Sequence, residues 1–157
     1  MIAMIWAMTE DFLIGNQMKI PWHIKEDLLY FKEKTAGKTV LMGENTYRSL
    51  KGYYRSRPLP YGKIYVASFT LESLPDAIVL RDVISFLKDC KEDLWIVGGA
   101  TIYRLAQAFA DRLYISYISG HYEGDTYLKE IDFSRFRLTW QKQTEQVRYT
   151  IYERVVE

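Results

Sequence analysis

The carboxylate of Asp27 is the group in this sequence with the clearest potential for chemistry, because its neighbours are apolar. Asp27 falls where a loop gives way to a helix predicted over residues 25–35, and Leu28 and Phe31 share its side of the first turns. An unpaired charge in such surroundings is costly, and no nearby residue is an obvious partner. We therefore expect Asp27 to meet a cationic or hydrogen-bond-donating ligand. The alternative is an ordinary solvated acid at a helix start, favoured by the helix dipole.

Two junctions between a strand and a helix carry glycine. Gly43 ends the predicted strand 39–43, and Gly98-Gly99 follow the predicted strand 94–97. Glycine lets the backbone approach a ligand closely, and the next helix points its first N–H groups at that ligand. Ligands of open α/β sheets bind beyond the carboxyl ends of strands, so the two junctions together favour a dinucleotide. The alternative is that each glycine only permits a tight turn, since neither junction has the Gly-x-Gly-x-x-Gly or P-loop pattern.

Apolar runs and helix-like segments alternate along the chain, which predicts an α/β fold. The sheet should be mostly parallel with helices on both faces, and its C-terminal edge should be antiparallel because no helix separates the last two strands. The predicted strands cover residues 2–8, 39–43, 64–67, 77–80, 94–97, 112–118, 132–141 and 145–155, and the predicted helices cover 25–35, 44–50, 82–89 and 100–109. Residues 9–24 and 51–62 are predicted loops, and the length of the first favours a functional role.

Length, charge and composition narrow the class of protein. With 157 residues, 48% of them hydrophobic, the chain is expected to form one domain over residues 1–157. A net charge of +1 gives no reason to expect nucleic acid or an anionic membrane as a partner. The single Cys90 excludes an internal disulfide, and with only His23 and His121 beside it no metal site is expected. The apolar start ends at Thr9 and no run reaches membrane-spanning length, so we expect a soluble cytoplasmic protein.

Several motifs coincide in order and spacing with those of one family. They are Ile5-Trp6-Ala7, Ile14-Gly15, Pro21-Trp22, Asp27 to Phe31 with Thr35, Met42-Gly43 with Thr46, Arg57-Pro58-Leu59-Pro60, Ile96-Val97-Gly98-Gly99 with Ile102-Tyr103, and Glu123-Gly124-Asp125-Thr126. Through this ordered set the chain resembles dihydrofolate reductase along essentially its whole length. The resemblance implies a three-layer α/β fold around an eight-stranded mixed sheet. It also implies a monomer that reduces 7,8-dihydrofolate to tetrahydrofolate with NADPH.

The resemblance further implies how the substrate would be held. Asp27 would hydrogen-bond the pterin ring at N3 and the 2-amino group, and it would favour protonation at N5 through water near Trp22. Hydride would pass from nicotinamide C4 to pterin C6, so the protein would contribute positioning and electrostatics. The implied substrate-binding residues are Ile5, Trp6, Leu28, Phe31, Leu50, Arg57 and Ser116, the last in place of a threonine usual there.

The implied cofactor site is spread over more of the chain. Its residues are Ala7, Ile14, Gly15, Ile20, Gly43, Asn45, Thr46, Ser68, Arg81, Val97, Gly98, Gly99, Ala100, Thr101, Ile102, Tyr103 and Thr126. Residues 9–24 would form a mobile lid that closes over the cofactor and excludes water.

The cofactor site departs from the family pattern at Glu44. Family members commonly carry arginine or lysine there to meet the adenosine 2′-phosphate, and a carboxylate would repel that phosphate. NADPH would then be preferred only if Arg81 or Ser68 contacts the phosphate instead, and nothing in the sequence excludes NADH. Ala100 replaces a glycine that is common after the fifth strand, a change that we expect to be tolerated.

The substrate site departs from the pattern at Gly62. The family usually has an arginine there that grips the α-carboxylate of the folate glutamate, because bidentate arginine suits a carboxylate. Arg55, Arg57 or Lys63 could substitute, and otherwise folate would bind weakly.

These departures keep other functions open. A related reductase of another pterin or pyrimidine, without a glutamate tail, would explain the missing arginine. A riboflavin-pathway reductase should lack the Pro21-Trp22 pair and Asp27. A non-catalytic nucleotide-binding module would not need Asp27, Trp22 and both glycine junctions together.

Overall fold

The computed structural model describes residues 1–17 and 19–156. Met18, which lies inside the predicted lid, and Glu157, at the end of the predicted domain, are outside the described residues. The first strand, β1 (Ile2–Thr9), shows why the sheet is covered on both faces. Its side chains at Met4, Trp6 and Met8 enter one buried apolar cluster, whereas Ala3 and Ile5 enter another. Alternation of this kind, apolar on both sides, is typical of a strand between two layers of helices.

The other elements follow in chain order. They are β2 (Leu13–Gly15), α1 (Lys25–Thr35), β3 (Val40–Gly43), α2 (Glu44–Tyr54), β4 (Ile64–Ala67), β5 (Ile78–Leu80), α3 (Val83–Asp89), β6 (Leu94–Ile96), α4 (Ala100–Ala106), β7 (Arg112–Ile118), β8 (Thr126–Tyr127), a 3₁₀ turn (Phe133–Arg135), β9 (Phe136–Gln143) and β10 (Val147–Arg154).

Eight of these strands form one mixed sheet in the order β5-β4-β3-β6-β1-β7-β10-β9. The first six run parallel, and β10 is antiparallel to both β7 and β9. The predicted three-layer α/β fold with an antiparallel C-terminal edge is therefore confirmed. Within the described residues, the short strands β2 and β8 form a second sheet.

Helices pack on both faces of the large sheet, as the sequence predicted. On one face α3 and α4 contribute Leu87 and Ile102 to the cluster around Met4. On the other face α2 buries Tyr47 in the cluster around Ile5, and Phe31 of α1 packs against the same cluster. The carboxyl ends of the six parallel strands consequently face one edge of the molecule, where α1, α2 and α4 begin.

The sequence-based bounds differ from the structure at several element ends, and residues 13–15 and 126–127 form short strands that were not predicted. Three of the differences have a visible cause. Residues 51–54 continue α2 instead of starting a loop, because Arg57 satisfies the end of the helix by donating to the carbonyls of Tyr53 and Tyr54. The strand predicted from residue 132 begins at Phe136, because Asp132 accepts the Ser134 N–H and folds residues 133–135 into a 3₁₀ turn. Helix α4 ends at Ala106, earlier than predicted, since residues 107–110 form turns with Phe109 N–H donating to Ala106 O.

Candidate active site

Asp27 occupies the first turn of α1 and is half-buried over one face of the sheet. Strand register places Ala7 of β1, Ser116 of β7 and Tyr149 of β10 side by side. Burial raises the pKa of the Asp27 carboxyl above its ordinary value, the nearby Ser116 hydroxyl lowers it, and the charge of Glu26 raises it. The site thus holds a carboxyl group that keeps its proton to higher pH than an exposed aspartate does.

A hydrogen-bond network fixes the start of α1 on the C-terminal hairpin. One oxygen of Glu26, Oε1, accepts from Tyr149 Oη at 2.9 Å and from Thr144 Oγ1 at 2.6 Å. The ring of Tyr30 lies 4.4 Å from the ring of Tyr149, measured between centroids. Sequence reasoning missed this network, because its partners lie far apart in the chain and no local pattern connects them. Its effect is to hold the turn that carries Asp27 against β10.

Apolar side chains border Asp27 on α1 and on the sheet. Ile5 is buried, and Phe31 and Leu50 pack against the cluster that contains it. Leu28, next to Asp27, leaves 48% of its surface exposed. One exposed leucine is unremarkable on a protein surface, but here it adjoins a half-buried acid, so the two together present an apolar surface with one polar group.

Trp22 lies in a third buried cluster together with Ile24 and Ile118, and Ala7 packs against this cluster. Its indole ring meets Tyr122 edge-on, with ring centroids 5.6 Å apart. The side chain is 5% exposed, so it forms part of the wall beside Ala7 and not a surface loop residue.

The two glycine junctions meet in space. The Gly43 N–H donates to Gly98 O at 2.9 Å, joining the end of β3 to the segment between β6 and α4. Gly98 has φ +146°, and a Cβ there would lie 2.8 Å from Thr46 Oγ1. A Cβ on Gly43 would lie 3.3 Å from Ile102. Gly98 therefore requires glycine, Gly43 packs tightly against Ile102, and the two leave a backbone surface with small side chains at the start of α4.

Tyr103 links this glycine surface to β1. Its buried hydroxyl donates to Ile5 O at 2.7 Å, and its ring lies 5.0 Å from the Trp6 ring. Burial raises the pKa of Tyr103 far above its ordinary value, so the hydroxyl remains a donor. Tyr103 thus adjoins both the backbone of β1 near Asp27 and the glycine junctions.

Comparison with known proteins decides the family. The family model for dihydrofolate reductase matches residues 1–156. The dihydrofolate reductase of Bacillus subtilis is 37% identical over 150 residues, which are 91% of this chain and 84% of the relative. That of Mycoplasma pneumoniae is 38% identical over 148 residues, 88% of this chain and 89% of the relative.

The chain belongs to the dihydrofolate reductase family. Its fold agrees with a solved structure of dihydrofolate reductase from Enterococcus faecalis complexed with NADP(H) and RAB-propyl. The two chains are 28% identical, the TM-score is 0.83, and the match covers 98% of this chain and 96% of the other.

The segment that resembles the lid of dihydrofolate reductases pairs with residues 124–128. Strand β2 pairs with β8, and Asp125 N–H donates to Gly15 O at 3.1 Å. A Cβ on Gly15 would lie 3.6 Å from Thr126 Cβ, so these two proposed cofactor residues are neighbours. Ile14 packs against the cluster of Met4, whereas Ile20 is 58% exposed.

Glu44, where the family usually has a basic residue, is engaged by three side chains of this chain. Its carboxylate accepts from the hydroxyls of Ser68 and Thr70, the latter at 2.9 Å. It also forms a salt bridge of 2.9 Å with Arg48 Nη2. The Ser68 and Arg48 hydrogen bonds lower the pKa of Glu44, so it is ionised at neutral pH. Arg81, the other predicted phosphate contact, donates to the backbone carbonyl of Ser68, so it lies beside the residue that donates to Glu44.

The sequence signal for the Arg48 contact was present but not used. Glu44 and Arg48 are four residues apart in α2, which is the spacing of a helical ion pair. Thr70 carried no such signal, since it lies in the loop after β4 and meets Glu44 only in the folded chain.

Gly62, the position of the missing arginine, is closely packed. A Cβ there would lie 2.8 Å from Gly37 O, a backbone atom, and Gly62 N–H donates to Lys38 O at 2.9 Å. Of the possible substitutes, Arg57 lies over the rings of Tyr53 and Tyr54 at the end of α2.

Lys63, the second possible substitute, forms a salt bridge of 3.1 Å with Glu92. Arg55, the third, is exposed.

The remaining predicted cofactor residues lie at the same edge as the glycine junctions. Asn45 and Thr101 are exposed near the starts of α2 and α4, Val97 is buried, and Ala100 is half-buried as the first residue of α4.

Among residues 1–17 and 19–156, no group of three or more histidine, cysteine, aspartate or glutamate side chains could hold a metal ion. In the same part of the chain, no helix has the length and hydrophobicity needed to cross a membrane.

Proposed function

We propose that this protein reduces 7,8-dihydrofolate to tetrahydrofolate with NADPH, as a cytoplasmic monomer that binds neither nucleic acid nor membrane. The observation that carries the proposal is the placement of Asp27, a half-buried carboxyl beside Ser116, next to the strand that contacts Tyr103. A pterin ring offers N–H donors that would complete the hydrogen bonding of this acid. Membership of the dihydrofolate reductase family supports the same reaction.

The residues at the carboxyl edge of the sheet fit a dinucleotide. The first N–H groups of a helix lack partners within the helix, and at α4 they follow Gly98 and Gly99, where small residues keep side chains out of the way. The tight contact of Gly98 with Thr46 shapes this surface from the other side. The group bound there would supply the hydride that is transferred from nicotinamide C4 to pterin C6.

The roles of the protein side chains follow from their positions. Asp27 would accept hydrogen bonds from N3 and the 2-amino group of the pterin, fixing the ring, and its charge would favour a proton at N5. Ile5, Leu28, Phe31 and Leu50 would exclude water from the ring faces. Because Glu26 is held by Tyr149 and Thr144, the turn that carries Asp27 would be positioned before substrate arrives.

The proposed site is completed by Trp6, by Arg57 and by the lid segment, residues 9–24. Trp6 would support the Tyr103 ring, and Trp22 would close the wall beside Ala7. Residues 9–24 would close over the cofactor and exclude water, with Gly15 and Thr126 as neighbours in that closed arrangement. Arg57 would reach the substrate carboxylate only by leaving the rings of Tyr53 and Tyr54.

A steady-state assay tests the proposal. Purified protein is mixed with dihydrofolate and NADPH, and the loss of NADPH absorbance is followed for the wild type, for Asp27→Asn and for Asp89→Asn. Asp89 is an exposed acid at the end of α3, so its variant is a matched control. We expect turnover by the wild type and the control and very little by Asp27→Asn. Absence of turnover by the wild type would leave only nucleotide binding and overturn the proposal.

One observation favours a second candidate, a reductase of a dihydropterin without a glutamate tail. The tight contact of Gly62 with Gly37 leaves no space for an arginine side chain, and Lys63 is paired with Glu92. A comparison of kcat/KM for dihydrofolate and for a dihydropterin that lacks the p-aminobenzoylglutamate group separates the two. A higher value for the tailless substrate supports this second candidate.

A further inference from the structure

The order of the strands indicates where the adenosine end of a nicotinamide dinucleotide would lie if the dinucleotide binds as proposed above. Its nicotinamide must lie near β1, because Asp27 and Ile5 border the substrate there. From β1 the sheet continues through β6 and β3 to β4. Neighbouring strands are ~4.8 Å apart, so these three steps span ~14 Å. A dinucleotide that crosses the glycine junctions between β6 and β3 therefore brings its adenosine ribose over the ends of β3 and β4.

The ends of β3 and β4 carry an acid and two hydroxyls. Glu44 is the first residue of α2, directly after Gly43 of β3, and Ser68 directly follows β4. Glu44 accepts hydrogen bonds from Ser68 and from Thr70, so both hydroxyls that could donate to a phosphate already donate to a carboxylate. The ionised Glu44 therefore places a carboxylate at this point of the edge.

Two arginines lie nearby, and each has another partner. Arg48 forms a salt bridge with Glu44 from one turn further along α2, and 61% of its side chain is exposed. Arg81, after β5, donates to the backbone oxygen of Ser68. These cations balance the charge of Glu44, but a phosphate at this position would have to compete with Glu44 for Arg48 and for both hydroxyls.

We propose that Glu44 sets the cofactor specificity of this protein by accepting a hydrogen bond from a free ribose 2′-hydroxyl and repelling a 2′-phosphate. An acidic side chain at the ribose is the common solution for the unphosphorylated cofactor, and arginine is the common solution for the phosphate. NADH should accordingly bind about as tightly as NADPH. This inference rests on the proposed binding of a nicotinamide dinucleotide.

Equilibrium binding tests the proposal without relying on turnover. Dissociation constants for NADPH and for NADH are measured by isothermal titration calorimetry with the wild type, Glu44→Gln, Glu44→Arg and Glu92→Gln. Glu92 is a matched control, because it is also a salt-bridged surface glutamate but lies before β6, at the amino ends of the parallel strands.

The expected results differ between the variants. In the wild type the two constants should agree within about tenfold, because Glu44 opposes the phosphate. Glu44→Gln should tighten NADPH relative to NADH about three- to tenfold by removing the charge and freeing Arg48. Glu44→Arg should increase the preference for NADPH by more than about tenfold by adding a phosphate partner. Glu92→Gln should leave the ratio of the two constants unchanged.

Other outcomes separate the two proposals. If the wild type binds NADPH about a hundredfold more tightly than NADH and Glu44→Gln leaves that ratio unchanged, the role of Glu44 is wrong while the proposed function stands. If the wild type binds neither nucleotide, the proposed function itself fails, and the role of Glu44 fails with it.

Discussion

The backbone N–H of Gly43 donates a hydrogen bond of 2.9 Å to the carbonyl of Gly98, which joins two strand-to-helix junctions that are far apart in the sequence. Each junction alone has the ambiguous pattern of a tight turn. Joined, they form a continuous backbone surface at the carboxyl edge of the sheet, between the substrate side at β1 and the acidic side at Glu44.

Substitution of Gly98 should destabilise the fold. Gly98→Ala introduces a Cβ 2.8 Å from Thr46 Oγ1 at a φ of +146°, a conformation that residues with side chains rarely adopt. We expect a loss of roughly 2 kcal/mol or more in the free energy of unfolding, measured by urea titration. The control is Gly52→Ala in α2, where a Cβ meets nothing within 4 Å. It should raise stability by roughly 0.5–1 kcal/mol, and equal losses in both variants would contradict the prediction.

Asp27→Asn should lower the activity and raise the thermal stability at neutral pH. Burial raises the pKa of Asp27 in the folded state, so the folded protein binds more protons than the unfolded chain at pH values between the unfolded and the folded pKa. Stability is therefore lost as the pH rises from the unfolded pKa through the folded pKa. The asparagine variant lacks this loss and should melt at a higher temperature than the wild type at neutral pH, but not at a pH below the unfolded pKa. Its turnover should fall at least about a hundredfold, and a variant with full activity would disprove the assigned role.

Glu26→Gln should shift the pH dependence of activity. The charge of Glu26 raises the pKa of Asp27, so a neutral glutamine should lower it and move the Asp27-dependent limb of the kcat/KM profile to lower pH. Glutamine can still accept from Tyr149 and Thr144, so the start of α1 should stay in place. Glu33→Gln, an exposed acid later in the same helix, serves as the control and should leave the profile unchanged. An unshifted profile in Glu26→Gln would show that its charge does not act on Asp27.

Gly62→Arg should not restore the arginine usual in the family. The new Cβ would lie 2.8 Å from Gly37 O, and a backbone atom cannot move aside as a side chain can. We expect a lower melting temperature and no decrease in the KM for dihydrofolate. The control is Gly52→Arg in α2, where a Cβ meets nothing within 4 Å, and it should not lower the melting temperature. Tighter dihydrofolate binding by Gly62→Arg without loss of stability would show that the backbone here adapts.

Much of the fold was predictable, because it depends on patterns that repeat within short segments. Continuous apolar runs such as residues 2–8 indicated strands covered on both faces, and the pair without an intervening helix indicated the antiparallel edge. Errors occurred where an element end depends on a side-chain hydrogen bond to the backbone that the residue pattern does not reveal. Residues 51–54 contain Gly52 and precede two prolines, yet the Arg57 side chain completes the end of α2.

The site was predictable to a lesser extent. The motifs around Asp27, Gly43 and Gly98 were recognisable as an ordered set in the sequence, and the family comparison agrees with the resemblance they carry. The sequence also showed that Glu44 is an acid where the family has a base. It could not show that Ser68 and Thr70 donate to that acid, because hydrogen bonds between loops depend on their final positions.

By itself the sequence determined the alternation of strands and helices, the glycine at each junction and the presence of an acid among apolar neighbours, since these are properties of adjacent residues. Only the tertiary structure decided which groups those residues meet. It placed Ser116 beside Asp27 through the register of β1 and β7, and it brought Glu26 within hydrogen-bond distance of the Tyr149 hydroxyl. The reason is physical: a pKa or a hydrogen bond depends on distances of a few ångströms, and the packing of separate segments sets those distances.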